Sequence, residues 1–411
     1  MSGTMSETLF KVEIDGIAAG GAGLAKLDGK SLFIDGGIPG ETVLCRATDD
    51  RQSWTQAELL EILEASPDRV QPACTFYGRC GGCNLQHLSY PAQIAAKTAI
   101  LKDAFARIGG FCPPEPAVSP SEPWEYRNRM QFHAIRQPAS PGSQGARAFK
   151  TRPDAFCGLK ARKSADIIPV SDCPVADPGI RDLLRSMQSD GNEAKAVLIS
   201  PGKDRVTVYA REGLLLSEGG VARGKTRILE KQLALDAGVF FQSNGAMLEK
   251  LVLDLREIVS GLNGTTGNLP MADLYCGVGT FAAFLGESFP GVDMVEENRT
   301  ALALARENLA RLGTANFHAR RIEDWATAGL SRYAFAVADP PRQGLGTALT
   351  RRLEKNGPRV LAYVSCDPAT LARDSRTLLG AYDLAELRWY DFYPQTAHIE
   401  SLALFVRRNR Q

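Results

Sequence analysis

The sequence has no run of 18 or more apolar residues, so no segment of it can cross a bilayer as a helix. Its opening, MSGTMSETLF, lacks the basic-then-apolar order of a secretory leader, and a cytoplasmic protein without membrane association is expected. A bias of charge is missing too: 48 Lys and Arg stand against 47 Asp and Glu. The net charge of +1 does not announce a nucleic-acid partner, which has to be argued from local charge. An even cysteine count is also absent. Nine cysteines in a chain without a leader argue against a disulfide framework.

What is present is an ordinary globular composition, 44% hydrophobic and 23% charged, over 411 residues. That length accommodates two or three domains. In a first domain expected over 1–64, residues 8–64 alternate apolar and polar positions between turn signals (FKVEI, Asp28-Gly29, SLFIDG, ETVLCRA), the pattern of a small β-barrel of a kind that often binds oligonucleotides. Residues 65–235 form a central α+β region. Within it, PAQIAAKTAILKDAFARIGG predicts one helix over 91–109, with Ile94, Leu101, Phe105 and Ile108 on one face and Gly109 at its end. From 236 to 411 short apolar strands alternate with helices, which predicts a mainly parallel α/β sheet.

Three cysteines of the central region are clustered as Cys74-x5-Cys80-x2-Cys83. The glycines of CGGC let the backbone wrap closely around a ligand. Thiolates at this spacing suit zinc or an iron–sulfur cluster. A fourth ligand must come from elsewhere: Cys173, followed by Pro174, is the better candidate and Cys157 the second. Between Glu125 and Lys163 lie nine Lys or Arg residues against two acids, enough to neutralise several phosphates, although a solvated loop-rich surface would look the same. Residues 137–147, rich in Pro, Ser and Gly, read as a loop.

The chemistry is concentrated in the last third. NLPMADLYCGVGT is a strand running into a glycine turn, Gly277 and Gly279, ahead of a helix; such a loop lets a nucleotide-like cofactor approach the backbone. Glu296 ends the next strand, where an acid can bind ribose hydroxyls. Asp339 follows a further strand in YAFAVADPPRQG, Cys366 follows another in RVLAYVSCDPATLARD, and Glu400 immediately precedes the last. Ligands of open α/β sheets bind outside the carboxyl ends of the strands. If the last strand runs antiparallel to the others, all these residues converge on one cleft.

These motifs resemble, over nearly the full length, the uracil-C5 RNA methyltransferase family, in particular its iron–sulfur members acting on 23S ribosomal RNA. GAGLAKLDGKSLFIDGGIPGE is similar to a TRAM domain, CGGCNLQHLSYPAQIAAK to the family's cluster segment, and FFQSN, DLYCGVGTF, DPPRQG, SCDPATLARD and PQTAHIE to its methyltransferase motifs in order. The resemblance implies a class I, Rossmann-like methyltransferase domain behind an N-terminal TRAM/OB-like barrel and an α+β central domain. It implies a 4Fe-4S cluster on Cys74, Cys80, Cys83 and Cys173. It implies S-adenosylmethionine held by Gln242 and the loop from Asp273 through Tyr275, Gly277 and Gly279, with Glu296 on the ribose. Cys366 would be the nucleophile, Glu400 the base, and Asp339 a contact to uracil or cofactor. The helix 91–109 would sit on the catalytic domain, making the central domain discontinuous. The expected protein is monomeric, with 23S ribosomal RNA favoured as substrate and transfer RNA as the alternative. One departure is visible: ARRIEDW carries Arg320 and Arg321 where the family usually has an acid or amide near the adenine, leaving Glu323 and Asp324 as substitutes and the contact unassigned.

Two rival readings are weaker. Cytosine-C5 enzymes generally carry Pro-Cys where this chain has Asp339-Pro340-Pro341. A non-catalytic iron–sulfur RNA-binding protein would need neither Cys366 nor Glu400.

Overall fold

The computed structural model of the chain describes residues 8–135, 156–186, 205–211, 213–217, 222–262 and 268–408. The loop expected at 137–147, together with Arg136, Arg147, Lys150 and Arg152, lies outside the described residues, as does the side chain of Cys157.

The N-terminal strands are β1 (Leu9–Glu13), β2 (Gly16–Ile17), β3 (Gly23–Leu27), β4 (Lys30–Asp35), β5 (Thr42–Asp50) and β6 (Trp54–Glu64). They form one barrel-like sheet in the order β1-β5-β6-β4-β3-β2. Alternation places Leu32 and Ile34, and Val43 and Cys45, in a common core with Val12, Ala25 and Ala57. Asp28 (φ 50°) and Gly29 (φ 79°) make the two-residue turn between β3 and β4, both in the left-handed region such a hairpin requires.

Helix α1 (Tyr90–Ala104) starts with Pro91 at a first-turn position and runs into a π-helical turn, Phe105–Gly109. The single helix expected over 91–109 is present as one continuous helical stretch, but its register changes at Phe105, with a consequence for its face. A π turn inserts an extra residue per turn, so Phe105 is fully buried while Ile108, expected beside it, is 43% exposed. β7 (Ala117–Ser119) follows.

The central sheet holds β8 (Arg129–Ile135), β9 (Phe156–Lys160), β10 (Ile167–Pro169), β11 (Arg205–Ala210) and β12 (Leu214–Ser217), in the order β10-β9-β8-β11-β12. Helix α2 (Pro178–Ser186) contributes Ile180 and Leu184 to its core. A hairpin of β13 (Arg223–Ile228) and β14 (Lys231–Asp236) precedes helix α3 (Gly245–Gly261). Ile228, Leu233 and Leu235 of that hairpin already belong to the core of the C-terminal sheet, ahead of the boundary expected at 236.

The C-terminal sheet has eight strands. They are β7 with β15 (Met271–Leu274), β16 (Val292–Val295), β17 (Ala315–His318), β18 (Phe335–Ala338), β19 (Val360–Ser365), β20 (Tyr382–Tyr390) and β21 (Glu400–Arg407), in the order β17-β16-β15-β18-β19-β21-β20-β7. Pairings from β17 to β19 are parallel, whereas β21 is antiparallel to both its neighbours. This is a Rossmann-like sheet with a reversed final strand. Its strands read as unbroken apolar runs because both faces are covered. Val360, Ala362 and Val364 face one core, with α3, α4 (Thr280–Leu285) and α5 (Arg299–Asn308). Leu361 and Tyr363 face the other, with α1, α7 (Gly346–Asn356) and α8 (Pro368–Leu378), while the short α6 (Ile322–Trp325) adds Ile322. Residues of α1 and β7, distant in sequence, are thus built into the C-terminal core.

Candidate active site

The reversed direction of β21 decides the geometry. Ser365 pairs with Ser401, so Cys366, one residue past the end of β19, lies beside Glu400 at the beginning of β21. Both line a cavity of about 1030 Å³ at the carboxyl ends of the parallel strands, together with Gln242, Tyr275, Gly277, Glu296 and Asp339.

Local rules hold each group in place. Asp367 accepts a hydrogen bond from the Thr370 N–H (2.8 Å) as the N-cap of α8, and Pro368 occupies the first turn. The thiol of Cys366 therefore sits just before a helix N-terminus, whose partial positive charge favours an anion. The end of the same motif holds the neighbouring loop: buried Asp374 accepts from the Leu345 N–H (2.8 Å) and the Tyr363 hydroxyl (3.0 Å), and Arg373 donates to the Gln343 carbonyl (2.8 Å). SCDPATLARD and DPPRQG are thus tied together behind the residues they present.

In the glycine turn, Tyr275 (φ 62°) and Gly277 (φ 54°) are left-handed and face the cavity. Glu296 accepts from the Gly277 N–H (3.1 Å) and from the Asn298 N–H (2.8 Å), which fixes its carboxylate against the turn. Asp273 and Gly279, expected as cofactor contacts, stand behind the wall instead. Asp273 accepts from the Ala282 N–H (3.0 Å) in the first turn of α4 and is buried. Gly279 (φ 83°) lets α5 approach: a Cβ there would lie 2.6 Å from Leu309 Cδ1. The tight turn explains both positions, which sequence pattern cannot separate from true contacts. Near the expected adenine position, Arg320, Arg321 and Glu323 line the cavity; Asp324 is not on its wall.

The electrostatics are those of an acid-rich, desolvated pocket. Burial raises the Glu400 carboxyl well above its usual range, with the Asp339 charge adding to it. Burial raises Asp339 likewise. The Cys366 thiol is pushed up to about 12, first by burial, then by Glu400 and Asp339, while Arg342 opposes the shift. One Glu400 carboxyl oxygen and the Gln242 side-chain oxygen, both on the cavity wall, are buried without a hydrogen-bond partner among the described residues, as is one Asp273 oxygen behind the wall. Unsatisfied buried acceptors in a cavity mark where a ligand's donors belong.

Among the cavity residues that sequence reasoning missed are Arg342, Arg127 and Tyr393. Arg342 stood in the DPPRQG motif itself and could have been picked out as the cation next to two prolines. Arg127 was counted only within a basic stretch, and Tyr393 had no signal. The basic stretch is also less free than its composition suggests. Arg162 and Lys163 pair with Asp35 of the N-terminal sheet, and Arg129 donates to the Ala237 carbonyl (3.3 Å).

A second cavity, of about 380 Å³, is lined by Cys74, Cys80, Cys83 and Cys173. Among the described residues no three His, Cys, Asp or Glu side chains stand close enough to hold a single metal ion. Arg127, Gly81 and Gly82 line both cavities, so the cysteine loop forms part of the wall of the first.

The profile of the tRNA (uracil-5-)-methyltransferase family matches residues 225–408. A 23S rRNA (uracil(1939)-C(5))-methyltransferase of Acidithiobacillus ferrooxidans is 32% identical over 97% of this chain and 97% of its own. This chain belongs to the uracil-C5 RNA methyltransferase family. An RNA methyltransferase of Treponema denticola is 30% identical over 93% of this chain and 95% of its own. The fold is shared with the Pyrococcus abyssi tRNA (uracil-54, C5)-methyltransferase, solved with S-adenosyl-L-homocysteine: TM-score 0.72, 22% identity, 97% of this chain and all of that one.

Proposed function

We propose that this uracil-C5 methyltransferase acts on a uridine of 23S ribosomal RNA, with S-adenosylmethionine as methyl donor, Cys366 as nucleophile and Glu400 as base. The juxtaposition of Cys366 and Glu400 across the β19–β21 pair, in the cavity that also holds Glu296 and the glycine turn, carries this reading. The choice of 23S RNA rests on relatives of that name, which match over 96–97% of their own length.

Uracil C5 is a poor nucleophile. Addition of the Cys366 thiolate to C6 makes C5 enolate-like and able to take a methyl group from the sulfonium that S-adenosylmethionine supplies. Glu400 then removes the C5 proton, the C–H electrons form the C5–C6 double bond, and the C6–S bond breaks to release the thiolate. Burial makes the Glu400 carboxylate, once ionised, a stronger proton acceptor. The thiol must lose its own proton first; Arg342 and the N-terminus of α8 are the chain's positive partners for it. Asp339 orients uracil or donor, Glu296 and Gln242 bind the donor, and the target base reaches the cavity by leaving its stack.

We further read Cys74, Cys80, Cys83 and Cys173 as the ligands of a 4Fe-4S cluster. The four thiols line one cavity, and among the described residues no three stand close enough to hold a single ion, which suits a multi-atom cluster better than one zinc ion, whose four sulfurs would stand about 2.3 Å from a single point. A cluster there would support the wall shared with the first cavity. The N-terminal sheet is read as a TRAM domain that carries RNA, and the protein as a monomer of the cytoplasm.

The direct test uses ribosomal and transfer RNA fragments with 5-fluorouridine at the candidate position, incubated with the methyl donor. A covalent protein–RNA adduct is expected with 23S RNA and the intact chain. It should disappear in Cys366→Ala; an adduct that persists there removes Cys366 as nucleophile. Trapping by transfer RNA alone overturns the substrate.

A further inference from the structure

The N-terminal half of helix α1 buries polar side chains. Gln93 and Lys97, one turn apart, are 1% and 0% exposed. A helix held only by packing would carry apolar side chains there. Both residues instead reach the segment that leads into Glu400. Gln93 donates to the Gln395 side-chain oxygen (3.0 Å) and accepts from the Gln395 N–H (2.9 Å), a reciprocal pair. Lys97 makes a fully buried ion pair with Asp391 (2.6 Å) and donates to the Tyr393 carbonyl (3.0 Å).

The stretch following Cys83 grips the same segment. The N–H groups of Asn84 and Leu85 both donate to the Gln395 carbonyl (3.1 and 3.0 Å), and the Asn84 side chain accepts from the Ala397 N–H (2.9 Å). Gln395 is held at φ 68°, a conformation unfavourable for a residue with a side chain, five residues before Glu400. Such strain persists only where surrounding bonds over-determine it, and it clusters at functional sites. An ion pair removed from water seldom stabilises a fold more than apolar packing would, so its presence beside a catalytic segment asks for a reason other than stability.

We propose that Gln93 and Lys97 are positioning residues for the proton-abstraction step. They clamp residues 391–397 so that Glu400 faces the C5 proton of the methylated, Cys366-linked uracil. This rests on the reading of Glu400 as the base. Neither residue touches the reacting atoms; each acts through the backbone that carries Glu400.

The step gives the test a specific signature. A misplaced base leaves the thiol addition and methyl transfer intact but stalls release, so the methylated covalent adduct accumulates on ordinary uridine. The full-length holoprotein would be compared with Gln93→Met, with the paired variant Lys97→Met/Asp391→Leu, and with Glu400→Gln, using unmodified RNA and a methyl-labelled donor. The paired variant replaces the ion pair by apolar groups and keeps the helix packed. A displacement of about 1 Å can lower turnover about 100-fold. That fall is expected in the Gln93 and paired variants, with KM for RNA unchanged, a wild-type melting transition and a denaturant-stable labelled adduct. Glu400→Gln should accumulate the same adduct. The clamp is overturned if both positioning variants turn over normally, or lose turnover without adduct while Glu400→Gln accumulates it. If Glu400→Gln turns over and leaves no adduct, the assignment of the base has failed and the clamp's purpose fails with it, whatever the other variants do.

Discussion

At the scale of single residues, the site is a place where burial works against ionisation. The Cys366 thiol, at about 12 in the free protein, lies well above the usual thiol value of about 8.5. Alkylation of Cys366 without RNA or methyl donor is therefore expected to be slow at neutral pH and still rising above pH 10; mass-spectrometric rates levelling off near pH 9 would contradict this. Glu400 and Asp273 carry the opposite consequence for stability. Burial raises both carboxyls, Asp273 to about 8, above their unfolded values. A raised acid keeps its proton in the folded chain and loses it in the unfolded one, so the folded state loses stability as pH climbs from about 4 to about 8. Glu400→Gln removes one such group. It is expected to stabilise the free protein at pH 8 and to do little at pH 4. Thermal melts at the two pH values check the sign.

At the scale of elements, the glycine turn and its helix depend on a close approach. Gly279 is left-handed, and a Cβ there would meet Leu309 and, at 3.1 Å, Ala305 of α5. Gly279→Ala is expected to lower stability by about 1–3 kcal/mol and to weaken binding of S-adenosylhomocysteine, because the turn carrying Tyr275 and Gly277 must shift with it. Calorimetric titration with the nucleoside checks the second effect; unchanged affinity would confine Gly279 to packing. The π turn after α1 shows a different dependence. It delivers Phe105 into the core and ends at Gly110 (φ 77°). Its extra residue rotates Ile108 outward, which a period of 3.6 cannot foresee.

At the scale of the whole molecule, separate parts of the chain meet at two adjoining cavities. The cysteine loop lies between the N-terminal sheet, through the Asn84 bond to the Gly20 carbonyl (2.8 Å), and the segment leading to Glu400, through Gln395. Anaerobic purification should yield a coloured protein with about four iron and four sulfide per chain, and Cys173→Ala should lose most of both. A colourless protein holding one zinc would replace the cluster assignment.

The sequence by itself determined the strands of the C-terminal sheet and the motifs at their ends, because strands buried on both faces must be apolar and their polar ends then stand out: Asp339, Cys366 and Glu400 were legible on that ground. The N-terminal strands were legible through alternation and the Asp28-Gly29 turn, which only a hairpin of that geometry needs. Other features were decided by tertiary structure alone. The reversed direction of β21, the addition of β7 at the sheet edge, and the use of Gln93 and Lys97 against residues nearly 300 positions away all depend on long-range pairing. A residue's local pattern does not encode which distant backbone it will meet. For the same reason Gly277 and Gly279 read alike in the sequence, yet one faces the cavity and the other admits a helix.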